Sequence, residues 1–151
     1  MKKFFFACCF LPALIAAGQT LIEEEAAKYY KTTFSQGVAR TDPKDIIHVD
    51  SLLFYLISYQ KPGYDSIRVS YRNQLFSRLY FYLRSESAFN SYLSYCKEHY
   101  KRKSDKMPAH RFIFHNKKER KHVVLYILTP ESAAEKRYMI LIYDDKNFGR
   151  I

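Results

Sequence analysis

Hydrophobic and polar positions alternate in different ways along this chain, and the first pattern to meet the eye is an absence of charge. Phe4 to Ala17 runs fourteen residues without an ionisable group other than thiols, behind Lys2 and Lys3 and ahead of Gly18. A basic start, an apolar run shorter than the roughly 18 to 20 residues of a spanning helix, and small residues at the exit together describe a cleavable secretory signal. Ala16 and Gly18 fit the small side-chain pockets of a peptidase cutting before Gln19. The expectation is a signal peptide over 1–18 and a single α+β domain over 19–151, secreted or periplasmic, with no transmembrane span in the mature chain. Cys8 and Cys9 suggest lipidation, but only four apolar residues precede Cys8, which disfavours it.

Beyond the leader, Leu21/Ile22, Ala26, Tyr29/Tyr30 and Thr33/Phe34 recur at helical spacing, so a helix is expected from Leu21 to Gln36, with Gly37 as its stop. Glu23, Glu24 and Glu25 in its first turn read as a solvated, dipole-matched helix start. Val49, Leu52/Leu53 and Leu56/Ile57 predict a second helix that Pro62-Gly63 ends. Ser66 to Arg72 alternates polar and apolar and predicts a strand. Gln74 to Leu83 reads as a helix, with a hairpin back onto 66–72 as the alternative. Phe89, Tyr92/Leu93, Cys96 and Tyr100 mark a helix over 87–101, capped by Ser85 or Ser87.

Three short β-branched and aromatic runs follow: 111–115, 122–128 and 137–143. They predict a C-terminal three-strand antiparallel meander. The fold class expected is α+β, with helices packed on one face of a small antiparallel sheet. The strands are apolar on both faces, so the second face needs a cover of its own.

Charge changes the picture from architecture to partners. The chain carries a formal net charge of +10, and most of the surplus lies between Lys97 and Lys121. Lys101, Arg102, Lys103, Lys106, Arg111, Lys117, Lys118, Arg120 and Lys121 are the candidate anion-binding residues. Such a field attracts polyanions. In an exported protein the candidates are lipid headgroups, acidic glycans and acidic protein surfaces. Nucleic acid is disfavoured, because no nucleic-acid motif accompanies the basic residues.

Candidate chemistry is sparse. The chain has four glycines and no nucleophile elbow, phosphate loop or HExxH motif. If a tight turn falls at Lys118-Glu119, His115 stands opposite His122, close enough for two imidazoles to approach one metal ion, with a third ligand to come from Glu119 or from elsewhere in the fold. Cys96 is the only cysteine after the cut, on an apolar helix face, and reads as a buried packing residue. Asp144-Asp145 reads as a solvated strand exit. No cofactor is implied. The favoured function is a non-catalytic binding or envelope-associated domain with a basic edge for an anionic partner. The alternatives are a small secreted hydrolase assembled from scattered residues such as His115 and His122, and a subunit of a homo- or hetero-oligomeric assembly.

Overall fold

A computed structural model describes residues 21–51, 55–103, 110–128 and 137–144. The expected signal, the cut between Gly18 and Gln19, Lys106 and Asp145 lie outside these residues. The described chain is mixed α+β and mostly sheet. Helix α1 covers residues 21–29, α2 Phe34–Arg40 and α3 Glu86–His99, with a 3-10 turn at Pro43–Asp45. The strands are β1 (Ile46–Asp50), β2 (Leu56–Tyr59), β3 (Ser66–Arg72), β4 (Leu75–Leu83), β5 (Lys101–Arg102), β6 (Arg111–Asn116), β7 (Lys121–Leu128) and β8 (Arg137–Asp144). They form one antiparallel sheet in the order β1-β2-β3-β4-β8-β7-β6-β5. The sheet is therefore larger than the small one expected.

Two of the expected helices are strands. The run from Val49 to Gln60 divides into β1 and β2, with Val49 opposite Ile57 and Ile57 opposite Val69. Apolar residues at helical spacing also suit two strands when a third strand supplies their partners, and that third strand is distant information. The run from Leu75 to Leu83 is β4, so the hairpin alternative holds. Asn73 and Gln74 form its two-residue tip, with φ of 50° and 62°. Positive φ at both positions gives a tip whose twist matches the strands it joins. Gln in place of the usual Gly is why the turn is hard to read from sequence.

The expected helix from Leu21 to Gln36 breaks. Lys31 takes φ 63°, and Thr33 starts α2 with a capping box. Its side chain accepts from the Gln36 amide, while the Gln36 side chain accepts from the Thr33 amide. That Thr-x-x-Gln signature stands in the sequence. Gly37 is not a stop but a buried residue inside α2. A Cβ there would overlap the Tyr71 hydroxyl and lie 3.2 Å from Ile57 Cδ1. Only glycine lets the α2 backbone approach the sheet this closely.

Strand alternation sorts the apolar side chains into two clusters. The larger takes Ile67, Val69, Leu79, Phe81, Ile140, Ile142, Val123, Leu125 and Phe114 from alternate positions of successive strands. Ile22, Ala26 and Tyr29 of α1, and Phe89, Tyr92, Leu93 and Cys96 of α3, belong to the same cluster. Each fully buried large side chain contributes about 1.5–3 kcal/mol. The smaller cluster uses the opposite alternation: Val124, Leu141 and Tyr143, with Tyr80, Ile113 and Tyr126 packed against it. The sheet is apolar on both faces, in keeping with the two-sided pattern of the strand runs. No helix among the described residues is long and apolar enough to cross a membrane.

Candidate functional site

The basic stretch folds around one end of the sheet. Strand β5 is the last in order and pairs with β6, placing Lys101 opposite His115 and Arg102 opposite Phe114. The Lys103 amide continues this pairing to the Ile113 carbonyl at 2.9 Å. Arg111 begins β6, and the turn after β6 carries Lys117, Lys118 and Arg120, all exposed. Lys121 departs from this set. It starts β7, its side chain is 5 % exposed, and its ammonium lies between Glu23 at 2.6 Å and Glu119 at 2.7 Å. The structure takes it out of the basic surface.

His115 stands opposite His122, as expected for a turn centred on Lys118-Glu119, although the turn spans four residues, 117–120, rather than two. Arg120 absorbs the reversal with φ 59°. The two imidazoles lie parallel, centroids 4.4 Å apart at 11°. The stack continues to Tyr143, 5.2 Å from His122. A single cross-strand row thus runs Arg78, Tyr143, His122, His115, Lys101 across five strands, with a cation at either end. Among the described residues, no group of three or more His, Cys, Asp or Glu is placed to hold a metal ion.

The densest buried chemistry lies elsewhere, in residues the pattern assigned to solvent. Two of the three consecutive glutamates turn inward. Glu25 is buried and accepts from the Tyr59 hydroxyl at 2.6 Å. Glu23 accepts from Tyr92 at 2.6 Å, from Tyr100 at 2.8 Å and from Lys121 at 2.6 Å. Burial alone would raise the Glu23 carboxyl, but the Lys121 charge and these hydrogen bonds outweigh it and hold it below its ordinary value. Burial alone would likewise lower Lys121, yet Glu23 and Glu119 raise it. Both groups are fixed in their charged forms, a poor basis for proton transfer near neutrality.

Cys96 is fully buried beside this network, and burial followed by the Glu23 charge pushes its thiol well up. It is a packing residue. The sequence pattern placed Lys121 among the anion-binding residues, and its separation of 98 residues from Glu23 hid the pairing. Tyr30 adds a further tie from the end of α1, donating to the carbonyls of Glu119 at 3.1 Å and Arg120 at 3.0 Å. The helix therefore fixes the position of the basic turn.

Fold and site together define a small α+β domain dominated by a single antiparallel sheet, with a basic end and an internal ion pair. No family model matches the chain, and no curated protein or solved structure is significantly similar to it.

Proposed function

We propose that the protein is an exported, non-catalytic binding domain that engages an anionic partner through the basic end of its sheet. One observation carries the reading. Pairing of β5 with β6 sets Lys101, Arg102 and Lys103 beside the strand that begins with Arg111 and ends in the Lys117-Lys118-Arg120 turn. Glu119, the acidic residue in that turn, is drawn towards Lys121 at 2.7 Å, and the exposed Lys117, Lys118 and Arg120 outnumber it there. In this reading α1 and α3 cover one sheet face, supported by the cluster they share with alternate strand positions. The fixed charge states of Glu23 and Lys121 and the raised Cys96 thiol support a role in binding rather than turnover.

The partner class is an acidic surface reached outside the cytoplasm: a lipid headgroup layer, an acidic glycan or an acidic protein. Retention on heparin and on vesicles containing anionic lipid, followed against salt, tests it. Elution is expected at moderate salt, because exposed charges beyond about 10 Å are screened at 0.1 M. Neutralising Lys117, Lys118 and Arg120 together should move elution to lower salt. Unchanged elution of that triple variant would remove the basic end as the binding surface. The N-terminal mass of protein recovered from outside the cell should correspond to a chain beginning at Gln19.

A second reading, a subunit of an assembly, is favoured by one feature. Around the buried Val124, Leu141 and Tyr143, the strand residues Tyr80, Ile113 and Tyr126 are only partly buried and leave apolar surface on that sheet face. It predicts a solution mass at least twice that of the monomer.

A further inference from the structure

Beside the Glu23–Lys121 pair lies a concave groove of about 690 Å³ that the basic-end reading does not use. Helix α1 supplies one wall through Glu23, Ala26, Ala27 and Tyr30. These positions are i, i+3, i+4 and i+7, one stripe of the helix. The neighbouring stripe, Ile22, Glu25, Ala26 and Tyr29, is buried, so Ala26 sits where core and groove meet and Ala27 is the exposed alanine. Methyl side chains at 26 and 27, between a glutamate and a tyrosine, leave a trough where longer side chains would fill the space. Tyr95 of α3 and Glu119 of the β6–β7 turn close it from the other side.

The electrostatics of this trough run against those of the whole chain. The protein carries +10, yet among the described residues the groove is lined by the carboxylates of Glu23, Glu24 and Glu119 and by one cation, Lys121. That ammonium is 5 % exposed and held at 2.6 Å and 2.7 Å by two of the three carboxylates. One ammonium offsets one of the three carboxylates, which leaves a net acidic rim beside the exposed Ala27 methyl. Acidic residues on a convex surface would be no more than a solvated patch. Here they edge a cavity within the roughly 300–1,000 Å³ range of ligand sites.

We infer that this groove binds a primary alkylammonium ion, with the apolar stem over Ala26 and Ala27 and the ammonium head against Glu24 and Glu119. The shared chemistry is that of a free aliphatic amine or of a lysine side chain presented by another protein. A carboxylate ligand is disfavoured by the rim, and a neutral one forgoes the charge-assisted hydrogen bonds that double the strength of ordinary ones.

Calorimetric titration of the intact protein with hexylamine, hexanol and hexanoate tests this directly. Hexylamine should bind, and the two others should bind at least about tenfold more weakly. Ala27→Leu, at an exposed position that leaves the core untouched, should abolish binding by filling the trough. Glu24→Gln should weaken it by about tenfold while far-UV circular dichroism stays unchanged. An acetylated, amidated peptide with a single Lys separates the sources. Tighter binding than hexylamine identifies a protein lysine, and weaker binding a free amine. Absence of hexylamine binding at roughly ten millimolar, equal binding of hexanoate, or full binding by Ala27→Leu would overturn the inference. The basic-end reading is unaffected by any of these outcomes, since its readout is retention on anions.

Discussion

The ammonium of Lys121 lies 2.6 Å from the Glu23 carboxylate, although 98 residues separate them in the chain. It joins the first helix to the start of β7, and Glu119 on the other side of the ammonium joins both to the basic turn. Removing one partner of such a pair leaves an uncompensated charge in a site that water reaches poorly. Lys121→Met is expected to lower unfolding free energy by about 3 kcal/mol. Glu23→Gln should cost less, because the amide still accepts from Tyr92 and Tyr100 and the site of Glu23 is more open. Urea denaturation of the two single variants and the double variant should give a coupling energy clearly different from zero.

The same pair sets the pH limits of stability. Glu23 is held below its ordinary value of 4.5, so its contribution is complete above about pH 4.5 and is lost as pH falls through its folded-state value. Lys121 is held above 10.5, so its contribution is complete below that pH and is lost as pH rises through its folded-state value. Burial also pushes Tyr29, Tyr64 and Tyr143 up to about 12, which adds a loss between pH 10 and 12 as the unfolded chain ionises first. Denaturation midpoints across the pH range should form a broad plateau with an acid and an alkaline shoulder. The acid shoulder should shrink in Glu23→Gln, and an unchanged shoulder would show that other carboxylates set it.

Gly37 and Tyr71 are in near contact, and each constrains the other. Alanine improves helix propensity by about 1 kcal/mol over glycine. At position 37, however, its Cβ would overlap the Tyr71 hydroxyl and press on Ile57. Gly37→Ala should therefore destabilise by about 1–3 kcal/mol, as overpacking does. Tyr71→Phe in the same chain should restore part of the loss, since the hydroxyl is the nearest obstacle. Thermal melts of the two singles and the double decide it.

At the β3–β4 tip, Gln74 is exposed and holds φ 62°. A glycine accepts this conformation without the Cβ penalty. Gln74→Gly is expected to stabilise the protein by about 0.5–1 kcal/mol, in contrast to the usual cost of a new glycine. A lower melting temperature in this variant would argue against the positive-φ tip.

Cys96 should be silent in the folded protein. Its thiol is fully buried and its ionisation is suppressed by burial and by Glu23. Labelling by an aromatic disulfide reagent at pH 8 should be negligible in buffer and stoichiometric in denaturant. Fast labelling of the native state would show that this part of the core opens.

Much of the fold was legible where local signals and distant partners agree. The helix over 87–101 appears as Glu86–His99 with Ser85 as its cap, because one apolar stripe faces the core throughout. The three C-terminal strands and the His115–His122 register were legible because a short turn fixes which residues meet. The runs at 49–60 and 74–83 were not, because their apolar spacing fits a helix as well as two strands or one. Pairing with Ser66–Arg72 resolved them in favour of sheet. Nor was Gly37, whose role depends on a hydroxyl from a strand more than thirty residues on.

The sequence by itself determined the mixed α+β class, the strand meander, the burial of Cys96 and the clustering of basic residues, because each follows from neighbours in the chain. Tertiary structure alone decided which charges remain at the surface. Lys121 reads as one more cation in a basic run, and Glu23 as one more anion at a helix start. Only the approach of α1 to β7 desolvates the two together and makes each the condition for burying the other.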